Sequence, residues 1–334
     1  MRLADFDYCL PEELIAQAPL EDRAASRMLV LDKETGEIQH RAFRDIVQVL
    51  RPGDLLVMND TRVTAQRLLG ERPTGGKVEA LLLSEKDGQF EALMRPAKKL
   101  KPGSVVQFEG GLQARVVQDL GEGRKLIQFL QDDYKRRLRT AGRVPLPPYV
   151  HEPLQDPERY QTVYARRPGS AAAHTAGLHF TQELLQRLKD NGVETATVTL
   201  DVSIDTFRPV STDNIEDHTM HGERCSVPED TAKKVSEAKG RVVAVGTTTA
   251  RTLETFATGV RKIEPGETVS KIFITPGYRF KAVDAMLTNF HMPRTTMLMM
   301  VSALAGRANI RSAYQRAAEE RYRFLSFGDS MMIL

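Results

Sequence analysis

Residues 77–95 read KVEALLLSEKDGQFEALMR, and this stretch decides the fold of the middle of the chain. Apolar and polar residues alternate on both sides of Asp87-Gly88, a dipeptide that is typical of tight hairpin turns. The same kind of pattern continues in three short runs separated by glycine turns, which are SVVQF, LQARVV and RKLIQFL. Short strands joined by closely spaced glycine turns predict a small antiparallel β-barrel or sandwich.

The sequence on both sides of this stretch has a different rhythm, in which strands alternate with helices. We expect strands over residues 193–202, 241–245 and 271–275, and helices from Thr181, from Thr249 and over residues 308–322. Such alternation predicts an α/β fold. We therefore predict a discontinuous α/β core with a mixed sheet and the active site, formed by residues 1–64 and 150–334. An inserted antiparallel β-barrel, residues 65–149, interrupts it, and the prolines of residues 145–148 mark where the chain leaves the barrel.

The composition is that of an ordinary globular protein and excludes several classes. The 334 residues are 41% hydrophobic and 27% charged, with a net charge of +3, so a nucleic acid would have to be met by a local basic patch. Cys9 and Cys225 are the only cysteines, which excludes a disulfide framework and a cysteine metal cage. The chain lacks an apolar signal core and any run near the ~20 apolar residues of a membrane helix. We expect a cytoplasmic protein with no membrane partner, and a monomer.

Residues 287–306, LTNFHMPRTTMLMMVSALAG, crowd polar side chains directly before an apolar helix pattern. Asn289 and His291 lie in the polar part, and Thr295 or Thr296 can cap the helix. Polar groups placed just before a buried helix indicate a site that its scaffold holds rigidly. An ordinary capped core helix has the same pattern.

The segment from Gly246 to Arg251, GTTTAR, follows an apolar strand pattern and opens a helix. The free N–H groups and positive dipole end of such a helix suit an anion, and Thr247, Thr248, Thr249 and Arg251 add further donors. The segment is neither a dinucleotide fingerprint nor a P-loop, because it lacks GxGxxG and GK[ST]. Its ligand can be a phosphate or a carboxylate, while a well-capped helix without a ligand fits the pattern equally.

Five of the seven histidines fall in three polar segments. They are His174, His179, His218, His221 and His291. A zinc site is one interpretation, with His218 and His221 as two ligands and Asp217 or a neighbouring glutamate as the third. Zinc ligands usually lie on a defined helix or beside cysteines, and this segment has neither, so we expect no metal. Acid, base or clamping roles near neutral pH explain these histidines more economically.

Asp60 and Arg62 follow the apolar run DLLVM. The end of a strand is where an α/β fold places ligand contacts, so both side chains are candidates for a binding pocket. An Asp–Arg pair that only ties the turn together is an equally common arrangement.

Basic residues form two clusters within the predicted barrel segment. The first basic cluster comprises Arg95, Lys98, Lys99 and Lys101, and the second comprises Lys135, Arg136, Arg137 and Arg139. Clustered cations in a protein of low net charge suit a phosphate backbone. Solvated surface is the simpler account of either cluster.

Segments along the whole chain together resemble the S-adenosylmethionine:tRNA ribosyltransferase-isomerase family of queuosine biosynthesis. They are PGDLLVMNDTRV (52–63), RPAKKLKPG (95–103), PLPPY (145–149), YQTVYARRP (160–168), AHTAGLHFT (173–181), IEDHTMH (215–221), VAVGTTTARTLE (243–254), LTNFHMPRTTMLMMVSALAG (287–306) and YRFLSFGD (322–329). Any one of them would be a weak signal. Because they occur in order over essentially the full length, the resemblance is specific, and the family's two-domain plan agrees with the predicted fold.

The resemblance implies a reaction in which S-adenosylmethionine is a co-substrate and no cofactor or metal takes part. The ribosyl moiety moves to the aminomethyl group of 7-aminomethyl-7-deazaguanine at the wobble position of a tRNA. Adenine and methionine leave, and epoxyqueuosine-tRNA forms. Such chemistry needs a base beside the sulfonium, an acid for the departing adenine and a nearby amine.

The resemblance also suggests roles for individual residues. We expect catalytic roles for His179, His291, Asp217 and His218, and S-adenosylmethionine contacts from Thr247, Thr248, Thr249, Arg251, Asn289, Thr175 and Gly177. Aromatic faces of Phe180, Phe290 or Tyr278 can steady the sulfonium. Asp60 and Arg62 would complete the pocket, and the first basic cluster would bind the tRNA backbone. The sequence assigns neither the acid nor the base, and leaves the order of bond breaking and the tRNA footprint open.

Four positions depart from the pattern of the family, and they are His174, Asp201, Ser203 and Asp205. The family often has proline where this chain has His174, and histidine where it has Asp201. A histidine at position 201 therefore cannot be the base here. Two other classes of function stay open, which are a metal-dependent hydrolase built on the histidine segments and a non-catalytic tRNA-binding module that uses the barrel.

Overall fold

The computed structural model describes residues 1–202, 210, 212–220 and 222–334. The strands are β1 (Arg27–Leu31), β2 (Ile38–Ala42), β3 (Leu55–Asn59), β4 (Thr61–Val63), β5 (Gln66–Glu71), β6 (Lys77–Lys86), β7 (Gln89–Arg95), β8 (Val105–Phe108), β9 (Leu112–Gly121), β10 (Arg124–Phe129), β11 (Arg167–Ser170), β12 (Glu194–Leu200), β13 (Glu223–Val227), β14 (Val242–Val245), β15 (Ala257–Gly259), β16 (Lys262–Ile263), β17 (Gly266–Ser270), β18 (Ala285–Asn289) and β19 (Ser330–Ile333). The helices are α1 (Ile46–Val49), α2 (Tyr134–Ala141), α3 (Gln182–Asp190), α4 (Glu229–Glu237), α5 (Thr247–Phe256), α6 (Thr296–Ala305) and α7 (Arg307–Glu319).

The chain divides into two compact units. One unit, the α/β core, comprises residues 1–62, 147–167 and 173–334, and the other, the barrel unit, comprises residues 63–146 and 168–172. In the described ranges, no helix combines the length and the apolar character needed to cross a membrane. The α/β core and the barrel are the two architectures that the sequence predicts.

A nine-stranded mixed sheet organises the α/β core, in the order β17-β13-β12-β3-β14-β18-β19-β1-β2. Four neighbours in its middle, β12, β3, β14 and β18, run parallel to one another. The carboxyl ends of parallel strands meet at one edge of a sheet, which is where open α/β folds place their ligands. The segments that follow β3, β14 and β18 are therefore brought together by the topology alone.

Both faces of this sheet are covered, as the sequence of β3 already indicates. Successive side chains of a strand point to opposite faces, and in β3 Leu55 and Val57 pack in one hydrophobic cluster while Leu56 and Met58 pack in another. Helix α5 contributes to the first cluster and helix α3 to the second. A strand buried on both faces reads as a continuous apolar run instead of an alternating one.

The barrel unit is a closed antiparallel barrel in the order β10-β7-β6-β5-β8-β9. Its interior holds apolar side chains from every strand, and α2 adds Leu138 and Ala141 to that core. Gly70 lies where β5 approaches β8 so closely that an added Cβ would overlap the Gln107 carbonyl oxygen. Closure of the barrel confirms the predicted antiparallel β unit and decides between the two forms that the sequence allows.

One predicted strand is wrong. The expected strand over residues 271–275 is irregular, and the strand lies just before it, as β17. In the ladder between β17 and β13, Ser270 pairs with Glu223, where β13 begins. The two strands are antiparallel, so the ladder ends at this pair. The apolar residues 271–275 therefore lie beyond the end of the ladder. The helices predicted from residues 249 and 308 correspond to α5 and α7.

Candidate active site

A pocket of about 400 Å³ lies at the carboxyl edge of the parallel strands. Its walls come mainly from residues 173–176, 246–248 and 288–293, and Tyr149 and Ser326 also line it. Residues 246–248 directly follow β14, and residues 288–293 start with the last two residues of β18. All of the lining residues belong to the α/β core. We call this cavity the strand-end pocket.

Asn289, the last residue of β18, connects several parts of the site. Its Oδ1 accepts a hydrogen bond of 2.8 Å from the Thr175 hydroxyl. Its Nδ2 lies 3.4 Å from the Asp329 carbonyl oxygen and 3.5 Å from Nε2 of His179. A single buried amide thus fixes the loop that carries Thr175 and His179 to the end of the strand.

His291 lines the strand-end pocket, and both nitrogens of its ring have partners. Nε2 lies 3.1 Å from the Thr288 hydroxyl, and Nδ1 lies 3.2 Å from the Tyr314 hydroxyl. The Tyr8 hydroxyl donates to the backbone carbonyl of His291. Burial lowers the pKa of His291 to about 3. The ring is therefore neutral near pH 7 and is held in one orientation, which suits hydrogen bonding and proton relay.

His179 does not line the strand-end pocket. Its Nδ1 lies 2.8 Å from the Ser26 hydroxyl, and the ring faces a smaller cavity. Burial, and then the charges of Arg323 and Arg23, lower its pKa to about 4. Its route to the pocket is the contact with Asn289, so His179 can orient that amide without touching a ligand in the pocket.

The start of α5 supplies donors to the strand-end pocket. Gly246 adopts a φ of +85°, which lets the chain turn from β14 into the helix. Thr247 and Thr248 line the pocket, and among the described residues the buried Thr248 hydroxyl has no hydrogen-bond partner. Thr249 does not line it, because its hydroxyl donates to the Val245 carbonyl at 2.7 Å. The first N–H groups of a helix have no partner within it, so this end is suited to an anion.

Arg251 is placed differently from the sequence-based expectation. Its Nη1 forms a buried ion pair of 2.5 Å with Glu223, and its Nη2 donates to the Ser270 carbonyl at 3.1 Å. It is not among the residues that line the strand-end pocket. Arg251 lies one turn beyond the start of α5 and faces Glu223 at the start of β13, so it does not contact a ligand in this pocket.

Gly177 also has a packing role in the structure. An added Cβ at this position would overlap the Tyr164 hydroxyl and press on the Thr162 side chain. Gly177 lies in the short 3-10 helix Thr175–His179 and is absent from the pocket lining. The glycine therefore allows the loop to lie close to Tyr164, and its contribution to a ligand site is indirect.

Two other pairs of candidates lie outside the strand-end pocket. Asp60 is buried and accepts hydrogen bonds from Arg166 at 2.7 Å and from Thr199 at 2.8 Å, while Arg62 pairs with Glu158 at the surface. Asp60 and Arg62 thus pair with different residues, and the described ion pairs do not include the Asp60–Arg62 pair that the alternative interpretation of the sequence expected.

Asp217 and His218 also lie outside the strand-end pocket. Asp217 is exposed at the end of the 3-10 turn Ile215–Asp217, and the His218 ring packs on Phe273 with 5.4 Å between centroids. His221, Ser203 and Asp205 lie outside the described residues. Among the residues that the structure describes, His, Cys, Asp and Glu side chains form no group of three suited to a metal.

Three residues that sequence reasoning did not place in the site line the pocket. His174, which the sequence analysis counted among the histidines of the polar segments without a specific role, has Nε2 3.2 Å from the Thr61 hydroxyl, and burial lowers its pKa to about 3. The hydroxyls of Tyr149 and Ser326 lie 2.6 Å apart, and burial raises the pKa of Tyr149 to about 12. Both belong to matched segments, PLPPY and YRFLSFGD, so membership of such a segment was the available signal.

Among the aromatic candidates, only Phe290 lines the strand-end pocket in the described structure. Phe180 packs edge-on against Phe43 in the core, with 5.0 Å between ring centroids. The Tyr278 hydroxyl donates to Glu254 at 2.9 Å. Of the three aromatic candidates, Phe290 is therefore the one that a cation in the pocket can meet.

The two basic clusters of the barrel unit differ in their partners. In the second cluster, Lys135 pairs with Glu85, and Arg136 and Arg137 pair with Asp133. In the first cluster, all four side chains are exposed, and within the described ranges none of them forms a salt bridge. Cations that lack a carboxylate partner remain available to phosphates.

The sequence matches known proteins over its full length. The sequence profile described as queuosine biosynthesis protein matches residues 3–333. An S-adenosylmethionine:tRNA ribosyltransferase-isomerase from Natranaerobius thermophilus is 51% identical over 341 aligned positions, covering 100% of this chain and 99% of the relative. One of the same name from Symbiobacterium thermophilum is 53% identical and is covered completely, as is this chain.

A solved structure is also similar to this chain. The crystal structure of S-adenosylmethionine tRNA ribosyltransferase from Thermotoga maritima is 39% identical, with a TM-score of 0.57, and the match covers 99% of this chain and 100% of that one. The likeness in structure and the matches in sequence point to the same family.

Proposed function

This chain belongs to the queuosine biosynthesis family of S-adenosylmethionine:tRNA ribosyltransferase-isomerases, and on that premise we propose which reaction it catalyses. It transfers and isomerises the ribosyl moiety of S-adenosylmethionine onto 7-aminomethyl-7-deazaguanine at the wobble position of a tRNA. The products are epoxyqueuosine-tRNA, adenine and methionine. A tRNA substrate would place this reaction in the cytoplasm.

One observation carries the proposal. The strand-end pocket is built from three segments that resemble the family most closely, residues 173–181, 243–254 and 287–306. These segments are far apart in the sequence, and the topology brings them to one edge of the sheet. Its volume of about 400 Å³ lies within the usual range for small-molecule sites.

The methionine end of S-adenosylmethionine is best matched to the start of α5. The first N–H groups of the helix can donate to its carboxylate, and the unpartnered hydroxyl of Thr248 can donate as well. These N–H groups and Thr248 then take the ligand-binding role that the sequence alone gave to Arg251. Thr175 and Asn289 lie on the loop and strand end that face the same pocket.

The sulfonium and ribosyl portion would lie along the wall that contains Phe290 and His291. The face of Phe290 offers cation–π attraction to the sulfonium. His291 is neutral and oriented by Thr288 and Tyr314, so its ring is available in the pocket for hydrogen bonding and for proton transfer. His179 acts on this chemistry through Asn289, as a positioning residue.

The tRNA backbone would be bound in part by the first basic cluster of the barrel unit. Its exposed cations would contact phosphates, and such contacts do not distinguish one base sequence from another. This arrangement separates the attraction of the RNA from the positioning of the reacting groups.

Release of adenine tests the proposal directly. Purified protein is incubated with S-adenosylmethionine and tRNA carrying 7-aminomethyl-7-deazaguanine, and free adenine is measured by chromatography. We expect adenine only when the modified tRNA is present, and equal rates with and without a chelator. No adenine with a confirmed substrate would indicate a non-catalytic tRNA-binding protein. Loss of activity to the chelator and its recovery with zinc would indicate a metal-dependent enzyme.

A further inference from the structure

A second cavity lies beside His179, and arginines surround it. Arg23 and Arg159 line this cavity, whose volume is about 20 Å³, which is room for about one oxygen-sized group. Arg323 lies nearby, because Arg159 and Arg323 donate to the Leu20 and Ala18 carbonyl oxygens of one short segment. Burial, and then the charges of Arg323 and Arg23, lower the pKa of His179. We call Arg23, Arg159 and Arg323 the arginine cluster.

Backbone carbonyl oxygens hold the arginine cluster in place. Arg23 donates to three of them at distances between 2.9 and 3.2 Å, and Arg159 and Arg323 each donate to one in the N-terminal segment. Carbonyl oxygens orient a guanidinium but do not neutralise its charge. Within the part of the chain that the structure describes, none of the three forms a salt bridge with a carboxylate.

Two donors of the cluster have no acceptor. Nε of Arg159 and Nη1 of Arg323 are buried, and neither has a hydrogen-bond partner in the part of the chain that the structure describes. Leaving a charged donor buried and unpaired costs free energy that a bound acceptor would recover. Burial and then the charge of Arg159 lower the pKa of Arg23, and these effects outweigh the opposing charges of Asp156 and Glu158.

The carboxylate whose charge reaches Arg323 does not satisfy that unpaired donor. It belongs to Asp329, whose two oxygens each accept a backbone N–H group at 2.8 Å, one from Arg27 and one from Arg323. Both oxygens are thus already engaged in fixing the chain between Arg323 and β19. Nη1 of Arg323 therefore remains a donor for a bound acceptor.

The arginine cluster adjoins the strand-end pocket. Ser326 lines both cavities, and Nε2 of His179 lies 3.5 Å from the amide of Asn289. We propose that the arginine cluster binds a non-bridging oxygen of a backbone phosphate of the substrate RNA, next to the nucleotide that enters the strand-end pocket. The identity of that RNA rests on the proposed function. Guanidiniums match phosphate oxygens in geometry and charge, and such a contact would fix the nucleotide without reading its base.

Binding of an anticodon stem-loop RNA, measured by fluorescence anisotropy without S-adenosylmethionine, tests the proposal. Arg159→Gln and Arg323→Gln should each weaken binding roughly tenfold, the scale of one charge-assisted hydrogen bond. Each should also flatten the salt dependence by roughly 0.7 of a slope unit per lost contact on single-stranded RNA. Arg187→Gln removes the same charge from an exposed position on α3 and should change neither quantity. Unchanged affinity and slope in folded Arg159→Gln and Arg323→Gln would overturn the proposal.

An unsubstituted protein supplies a second readout, which does not depend on how the variants fold. A phosphate beside His179 would offset the charges of Arg23 and Arg323 that lower its pKa. The pKa of His179, followed by NMR, should therefore rise when the stem-loop RNA binds. No rise at saturating RNA contradicts a phosphate at this place.

Two further outcomes separate this proposal from others. If inorganic phosphate raises the pKa of His179 but RNA does not, the site takes free phosphate and the RNA proposal fails. Adenine release is measured in parallel. Wild-type release of adenine with no effect of the arginine substitutions on RNA affinity would refute the arginine site and leave the proposed function standing. If no adenine is released but the arginine variants bind RNA tenfold more weakly, the proposed function is refuted and the arginine site stands.

Discussion

The strand-end pocket and the first basic cluster are built in opposite ways. In the pocket, Asn289 and His291 are buried and hydrogen-bonded to other side chains at distances fixed by the core. In the first basic cluster, Lys98 and Lys99 are exposed and project from a short 3-10 turn of the barrel unit. Group transfer needs atoms held in one geometry, whereas attraction of a phosphate backbone needs only charge within reach. The difference separates residues that would act on rate from residues that would act on affinity.

The largest effect should come from a residue that belongs to neither region. Arg251→Met leaves Glu223 as a buried carboxylate without its guanidinium. Breaking such a pair costs about 3–5 kcal/mol of the free energy of unfolding. The Michaelis constant of the remaining folded protein for S-adenosylmethionine should not change.

Chemical denaturation and steady-state kinetics measure these two quantities separately. The double variant Arg251→Met with Glu223→Leu is the control, because removal of both charges should restore much of the stability. A stable Arg251→Met protein with a strongly raised Michaelis constant would return Arg251 to the ligand site.

On the pocket side, Asn289→Ala should lower turnover by about 10²-fold, because the loop that carries Thr175 and His179 loses its anchor. Affinity for tRNA should stay the same, since phosphates are bound elsewhere. Single-turnover adenine release and RNA binding provide the two numbers. Asn191→Ala, at the exposed end of α3, is the matched control. An Asn289→Ala enzyme with normal turnover would show that the amide has a structural role only.

The contrast also explains how much of the molecule the sequence could reveal. The barrel was predictable because its strands alternate around glycine turns, which are local signals. Among the parallel strands, β3 and β14 were predictable as apolar runs and β12 from its alternation, whereas β18 was not predicted. The start of α5 was predictable as a glycine followed by hydroxyls. Side-chain partners were not predictable, because the Arg251–Glu223 and Asn289–Thr175 contacts join residues that are 28 and 114 positions apart. Only the order of strands in the sheet brings them together.

Acid should destabilise the core through its buried histidines. His174, His179 and His291 have pKa values of about 3, 4 and 3 in the folded chain, against an ordinary value of 6.5. The unfolded chain therefore binds more protons than the folded chain below about pH 6.5, and stability is lost as the pH falls from there. Each histidine contributes a slope of about 1.4 kcal/mol per pH unit.

Urea denaturation between about pH 6.5 and 5 measures this slope before carboxylates begin to titrate. His174→Asn should lower the slope by about one proton. His151→Asn, at an exposed position, should leave it unchanged. Equal slopes for wild type and His174→Asn would mean that His174 is protonated as readily in the folded chain as in the unfolded chain.

The smallest effect belongs to the first basic cluster. Replacement of Lys98, Lys99 and Lys101 by Ala should weaken all tRNA substrates alike, by roughly tenfold, and flatten the salt dependence by somewhat less than one slope unit per lost contact. Affinity for S-adenosylmethionine should not change. The second cluster supplies the control, because Lys135, Arg136 and Arg137 are already paired. If replacement of Lys135, Arg136 and Arg137 by Ala weakens tRNA binding more than the first triple variant does, the second cluster and not the first contacts the tRNA backbone.

The most direct measurement is a crystal structure of the protein with S-adenosylmethionine bound. The account places the ligand in the strand-end pocket, with its carboxylate within hydrogen-bonding distance of the backbone N–H groups of Thr247 and Thr248 and its sulfonium against the face of Phe290. Density for the ligand at Arg251, or anywhere outside this pocket, would contradict the central claim that the ends of the parallel strands form the active site.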